Sequence, residues 1–73
     1  MITIDTVATG NNIREIRKAH KMSIADMQGI CCCTAAAIGK WQRGDCMPSI
    51  DNLVIMANVW GIRVDDIIKT KVV

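Results

Sequence analysis

Apolar residues recur every three or four positions along most of the chain, and a residue that favours helix N-caps precedes four of the apolar runs. In the first run Ile13 and Ile16 are three positions apart, and Asn11 or Asn12 offers a side chain for the cap. The same combination of cap and apolar face recurs along the chain. It predicts five short helices, at about residues 11–20, 24–31, 35–43, 50–60 and 64–68.

Particular residues mark where the middle helices begin and end. Ser23 and Asp26 have the spacing of a capping box for the second helix, and Thr34 and Ser49 are caps for the third and fourth. Gly44 follows the third helix, where glycine is favoured because it adopts a positive φ. The connections between the helices are therefore expected to be short.

The two ends of the chain have a different pattern. Residues 2–5 and 68–72 alternate apolar and polar side chains, which is the period of a β-strand. We expect these segments to form a small antiparallel ribbon, with each other or with their copies in a second subunit, and with Ile2 and Ile4 facing inward. The expected fold is an all-α, compact five-helix bundle over residues 1–73, a single domain with short terminal strands.

Composition excludes several classes of function. Seventy-three residues are too few for most enzyme scaffolds, and the absence of Phe and Tyr excludes aromatic stacking platforms of the RRM or OB type. No apolar run approaches the roughly 18 residues of a membrane span. The lone His20 has no nucleophile or carboxylate at a motif spacing. We therefore expect no enzymatic activity, no cofactor, no membrane partner and no small-molecule ligand.

Four cysteines are present, and three of them are consecutive. Neighbouring cysteines bridge one another poorly, so Cys31, Cys32, Cys33 and Cys46 are interpreted as reduced thiols of a cytoplasmic protein. Zinc sites require spaced ligand pairs, which the triplet does not provide, and no metal site is expected. A thiol or metal sensor nevertheless stays open as one functional hypothesis.

Positive charge is concentrated in the first two thirds of the chain. Residues 11–44 contain six Lys and Arg against two acidic residues, a local balance of +4, whereas the whole chain carries +2. A basic segment of this kind suits a surface that faces phosphates, although on charge alone solvated helix faces are the favoured interpretation.

The order and spacing of the elements resemble the Cro/phage-repressor family, the XRE-type helix-turn-helix proteins of bacteria. A helix capped by Ser23, a tight turn and a helix capped by Thr34 form the motif. The matching segments are residues 13–18 (IREIRK), 22–27 (MSIADM), 37–44 (AIGKWQRG), 48–53 (PSIDNL) and 60–68 (WGIRVDDII). The resemblance covers residues 11–68 and implies a lambda repressor-like fold.

The resemblance implies a transcriptional regulator that reads the major groove of double-stranded DNA with helix 35–43. Lys40 is then placed to donate to a base, Arg43 lies where family members contact phosphate, and the backbone after Ser23 can hold a phosphate. The implied cap and groove-facing positions are Thr34, Ala35, Ala36, Ala37 and Lys40. Members of the family commonly act as dimers on two half-sites, so a homodimer is the implied assembly.

Three positions depart from the family where DNA contact matters most. Ala35 and Ala36 replace polar base readers and offer only methyl contact to thymine. Ile24 replaces a glutamine whose amide clamps the DNA backbone. An alternative hypothesis follows: a protein–protein interaction module with a degenerate recognition helix, in which these three residues form an exposed apolar patch.

Two further departures concern the fold. The family's buried Arg–Glu pair between the first and third helices becomes Arg17 with Gln42, which leaves a weaker, neutral acceptor. Cys32 occupies the turn of the motif where glycine is usual, so this residue is expected to require a positive φ.

Overall fold

Five helices and one two-stranded antiparallel sheet make up the protein in the computed structural model, which describes residues 1–73. In chain order the elements are β1 (Ile2–Ile4), α1 (Thr6–Ala19), α2 (Ile24–Cys31), α3 (Ala35–Arg43), α4 (Ile50–Trp60), α5 (Val64–Ile67) and β2 (Thr70–Val72). The predicted five-helix fold with short terminal strands is confirmed. None of the helices has the length and apolar character that crossing a membrane requires.

The first helix begins at Thr6, well before the predicted start. Asp5 is its N-cap, and neither Asn11 nor Asn12 caps it: Asp5 Oδ1 accepts a hydrogen bond from the Ala8 N–H at 2.9 Å. The prediction missed these turns because the stretch contains threonines and a glycine, which have low helix propensity and interrupt the apolar stripe. The fifth helix, α5, ends at Ile67, one residue before its predicted end.

One polar side of α1 holds the C-terminal segment. The Asp5 N–H donates to the Lys69 carbonyl at 2.8 Å. The buried Thr9 hydroxyl accepts from the Lys69 N–H at 2.9 Å and donates to the Lys69 carbonyl at 3.3 Å. The Asn12 amide donates to two carbonyls at the end of α5, at 2.8 and 2.9 Å. Because these three residues are spaced at helical intervals, one side of α1 both caps α5 and aligns β2.

The ends of the chain pair with each other as a ribbon. Ile2 lies opposite Val72 and Ile4 opposite Thr70 in an antiparallel register. The predicted inward orientation of Ile2 and Ile4 is wrong, since their side chains are 70% and 44% exposed. The physical reason is that β1 ends directly at the N-cap of α1, so the ribbon continues beyond the end of the bundle and its short strands project into solvent.

Each of the five helices contributes to a single core. Its buried apolar residues are Ile13, Met27, Cys31, Ile38, Trp41, Leu53, Met56, Ala57, Trp60 and Ile67. Trp41 is 5% exposed and lies with Ile38 on the inner side of α3, so its ring is unavailable for stacking on a base. Burying a large apolar side chain of this kind stabilises the fold by about 1.5–3 kcal/mol, so the core dictates which side of α3 faces outward.

Gly10 permits α1 and α3 to approach each other closely. A Cβ at this buried position would overlap the carbonyl oxygen of Trp41 and lie 2.8 Å from that of Gln42. Further along the same contact, a Cβ on Gly44 would lie 2.7 Å from Val7 Cα. Backbone therefore packs directly on backbone here, and no side chain is available to adjust the gap.

The Gly10→Ala variant is expected to be destabilised by about 1–3 kcal/mol, because the added methyl group forces α1 and α3 apart. This loss exceeds the gain in helix propensity, which is about 1 kcal/mol. Urea unfolding measures the difference. The matched control is Gly29→Ala in α2, where no atom lies within 4 Å of the new Cβ; it should stabilise the protein by about 0.5–1 kcal/mol. Equal stability of both variants would contradict the close contact.

Candidate nucleic-acid interface

Residues 32–34 join α2 and α3 into a helix-turn-helix. The predicted capping box is present: the Ser23 hydroxyl accepts from the Asp26 N–H at 3.0 Å, and the Asp26 carboxylate accepts from the Ser23 N–H at 2.8 Å. Thr34 Oγ1 accepts from the Ala37 N–H at 3.1 Å and caps α3. Each helix of the motif thus begins at a side chain that accepts a hydrogen bond from one amide of its first turn.

The turn of the motif contains the predicted positive φ. Cys32 has φ 52° and ψ 46°, and its N–H donates to the Gln28 carbonyl at 2.9 Å, which closes α2. Its side chain is exposed, whereas the neighbouring Cys31 is buried in the core. The sequence therefore places a non-glycine residue in the left-handed region at the corner between the two helices, at a steric cost of roughly 1–2 kcal/mol.

The cysteines are free thiols of two kinds. Burial raises the pKa of the Cys31 thiol to about 11, so this group stays protonated and uncharged at neutral pH. Burial also raises the pKa of Cys33, whereas Cys32 and Cys46 are exposed. No group of three or more His, Cys, Asp or Glu side chains is arranged to hold a metal ion.

The outer face of α3 is the side opposite the core. Ile38 and Trp41 point inward, and positions 36, 40 and 43 follow one another at helical spacing on the opposite side. We define the outer face as Ala35, Ala36, Gly39, Lys40 and Arg43. Ala37, also predicted to face the groove, is half-buried at the edge of this surface. The result is a strip of small residues that is followed, toward the C-terminal end of α3, by two cations.

Arg43 is held on this face by neighbours that the sequence did not identify. Its Nε lies 3.0 Å from the Asp45 carboxylate. A Cβ built on Gly39 would lie 3.2 Å from Arg43 Nη1, so the guanidinium lies above that glycine. Two features of the sequence could have indicated this arrangement: an acid two residues after Arg43 and a glycine one helical turn before it.

A carboxylate lies beside the predicted phosphate site at the N-terminus of α2. The Ser23 N–H is already bound to Asp26, and this bond, with a smaller contribution from the Ser23 hydroxyl, lowers the pKa of the Asp26 carboxyl. A fixed negative charge therefore stands beside the helix end. The N–H groups of Ile24 and Ala25 have no intrahelical partner and are the donors that a phosphate could still use.

Ile24 is half-buried and packs against the core. The interaction-module hypothesis expected an exposed apolar patch of three residues. That prediction is wrong for Ile24, and only Ala35 and Ala36 are exposed. An apolar side chain at the start of α2 gains more free energy by packing on the bundle than by facing water.

Arg17 connects the motif to α1. Its Nε donates to Gln42 Oε1 at 3.1 Å, which is the neutral pair expected from the sequence. Its Nη1 donates to the Met22 carbonyl at 2.8 Å, in the loop before α2. One side chain thus links the last turn of α3 to the loop before α2.

The helix-turn-helix sequence family matches residues 13–67. The chain belongs to this XRE-type helix-turn-helix family. Among solved structures it is similar to the high-resolution crystal structure of the restriction-modification controller protein C.AhdI from Aeromonas hydrophila. The two chains are 24% identical, with a TM-score of 0.76 over 86% of this chain and 96% of the other, which demonstrates a shared fold. No curated protein sequence matches the chain at a significant level.

Membership of the helix-turn-helix family makes the chain a DNA-binding regulator of transcription and not an enzyme. The sequence predictions of a DNA-binding transcriptional regulator and of a protein that is not an enzyme are both confirmed. The motif that defines the family is the one whose caps, turn and outer face are described above.

The Cys32→Gly variant of this helix-turn-helix protein is expected to be more stable by about 1 kcal/mol, because glycine adopts the left-handed conformation without a steric penalty. Thermal or urea unfolding measures the change. Cys46→Gly is the control, since position 46 is exposed but does not have a positive φ; it should be neutral or destabilising. A loss of stability in Cys32→Gly would show that the turn is not strained.

Proposed function

We propose that this regulator prefers particular DNA sequences and reads the major groove with α3. The observation that carries the proposal is the outer face of α3, which presents small side chains after the Thr34 cap and two cations in the last turn of the helix. The major groove of B-DNA admits an α-helix, and small residues allow a helix backbone to approach the base edges closely.

Lys40 and the alanines of α3 make different kinds of base contact in this proposal. Lys40 is exposed in the middle of the outer face, and its ammonium group donates to guanine O6 or N7. Ala35, Ala36 and Ala37 contribute methyl contacts to thymine. Because three alanines provide no hydrogen bond, part of the preference comes from DNA shape and deformability.

Phosphate contacts position the domain on the duplex. The proposed donors are the N–H groups that follow Ser23, the Thr34 hydroxyl and the exposed Lys21 side chain. Arg43 adds a second positive charge to the outer face of α3, beside Lys40. The Asp26 carboxylate opposes a phosphate at the start of α2, so we expect this contact to be weak.

We further propose that the protein acts as a homodimer in the cytoplasm, with the paired α3 helices on two half-sites. Support comes from exposed apolar side chains that a second copy would cover. Ile50 and Val54 are one turn apart on α4 and are 78% and 44% exposed. The cytoplasm is the compartment where DNA is available and where free thiols persist.

A titration of the protein against mixed-sequence duplex DNA at two salt concentrations tests the proposal. If a dimer neutralises about six phosphates, affinity falls roughly 10³-fold between about 50 and about 200 mM salt. Fluorescence anisotropy of a labelled duplex measures this slope. Absence of binding at low salt, or binding without a salt slope, would contradict the proposal and favour the interaction-module alternative.

Lys40→Ala should reduce discrimination between the preferred duplex and its single-base variants by about 1–3 kcal/mol, because a base contact is lost. Arg63→Ala is the charge-matched control, since the exposed Arg63 lies at the N-cap position of α5, which packs on α1 and α4, and its side chain makes no capping hydrogen bond. The control should leave discrimination unchanged. Equal effects of the two substitutions would show that Lys40 acts only through its charge.

A further inference from the structure

We infer that Arg43 is a specificity-determining residue that recognises a guanine, and that Asp45 is the positioning residue that orients its guanidinium across Gly39. The inference rests on the proposed function, because it assigns one base contact within the same α3 surface. It also revises the role implied by the family resemblance, in which Arg43 contacts phosphate.

The end of α3 fixes the backbone of Asp45. Gly44 adopts φ 80°, and its N–H donates to the Trp41 carbonyl at 3.1 Å. The Asp45 N–H returns to the Lys40 carbonyl at 3.0 Å, which is the long hydrogen bond of a Schellman motif. The Asp45 carboxylate therefore projects from a fixed point on the helix end and not from a mobile loop.

Asp45 and Gly39 together set the direction of the Arg43 side chain. The carboxylate lies 3.0 Å from Arg43 Nε, and Nη1 lies above Gly39, where any larger residue would meet it. The guanidinium is thus folded back along α3 toward the groove-reading part of the face. Its Nη donors remain free, since the carboxylate occupies the Nε side.

The remaining Nη donors suit a guanine. Guanine presents O6 and N7 as two neighbouring acceptors, and the planar guanidinium donates to both in parallel. Holding Nε in advance reduces the conformational freedom that the long side chain loses on binding. Lys40 lacks this planar fork, so the two cations of the outer face are not equivalent.

The carboxylate also distinguishes a base contact from a phosphate contact. The Asp45 side chain is 57% exposed beside a guanidinium that is 63% exposed, so a phosphate approaching Arg43 meets a negative charge. A guanine edge carries only the partial negative charges of O6 and N7, so the carboxylate repels it less than it repels a phosphate. Asp45 therefore weakens attraction to DNA of any sequence while it retains the directed contact to guanine.

Selection from a random duplex library, followed by affinity measurements, tests the inference with Asp45→Asn. The wild-type protein should enrich a guanine in each half-site, and 7-deazaguanine at that position should weaken binding about 5- to 150-fold. In Asp45→Asn this sensitivity should fall at least about fivefold. Affinity for mixed-sequence DNA should rise, because a repelling charge is removed. Retained sensitivity to 7-deazaguanine would overturn the inference.

Two further variants separate orientation from charge and from folding. Asp65→Asn removes an acid from the first turn of α5 and should leave the guanine preference unchanged. Gly39→Ala requires Arg43 Nη1 to move by a few tenths of an ångström and removes no charge. It should reduce the guanine preference while the melting temperature stays equal or rises. A Gly39→Ala protein with full guanine preference would show that Arg43 does not need this cradle.

The outcomes for the inference and for the proposed function are distinct. If the wild-type protein neither enriches a sequence nor binds duplex DNA at low salt, both are wrong. If it enriches a guanine-containing sequence and Arg43→Lys or Asp45→Asn leaves that preference intact, only the inference is wrong. If both variants lose the preference and Asp65→Asn keeps it, Arg43 and Asp45 have the assigned roles.

Discussion

The direct contact between α1 and α3 is the constraint on which the rest of the structure depends. Gly10 lies against the carbonyls of Trp41 and Gln42, and Gly44 lies against Val7. With these backbones in contact, Trp41 is forced into the core, and the opposite side of α3 must face solvent. A small domain buries only about 60% of the surface that its unfolded chain exposes, so one well-packed helix pair contributes a large share of its stability.

The contact between α1 and α3 also fixes the position of the candidate interface on the bundle. Arg17 extends it from α1 to Gln42 and to the loop before α2, while the Schellman motif at Gly44 ends α3 against α1. Arg43 and Asp45 therefore stand on a backbone that is fixed from two directions. The ribbon at the other end of α1 is anchored through Thr9 and leaves the outer face uncovered.

Local signals predicted most of the fold. The caps at Ser23, Thr34 and Ser49 depend on neighbouring residues, so the sequence contains this information directly. The positive φ at Cys32 was expected from the family resemblance, in which glycine is usual at this turn. The early start of α1 was missed because its first turns contain threonines and a glycine. The ribbon itself was predicted, but the exposure of Ile2 and Ile4 was missed because it depends on where the ribbon lies relative to the bundle. The Asp5–Lys69 hydrogen bond joins residues from opposite ends of the chain, and no local pattern indicates it. The Asp45–Arg43–Gly39 arrangement likewise requires the geometry of a helix end.

Mapping of backbone amide chemical shifts on addition of a mixed-sequence duplex tests the central claim most directly. The account predicts that the largest shifts fall on α3, at Ala36, Gly39, Lys40 and Arg43, with smaller ones at the first amides of α2. Amides of α4, α5 and the ribbon should move little. Largest shifts on α4 or the ribbon, with α3 unchanged, would contradict the assignment of the outer face of α3 as the DNA-reading surface.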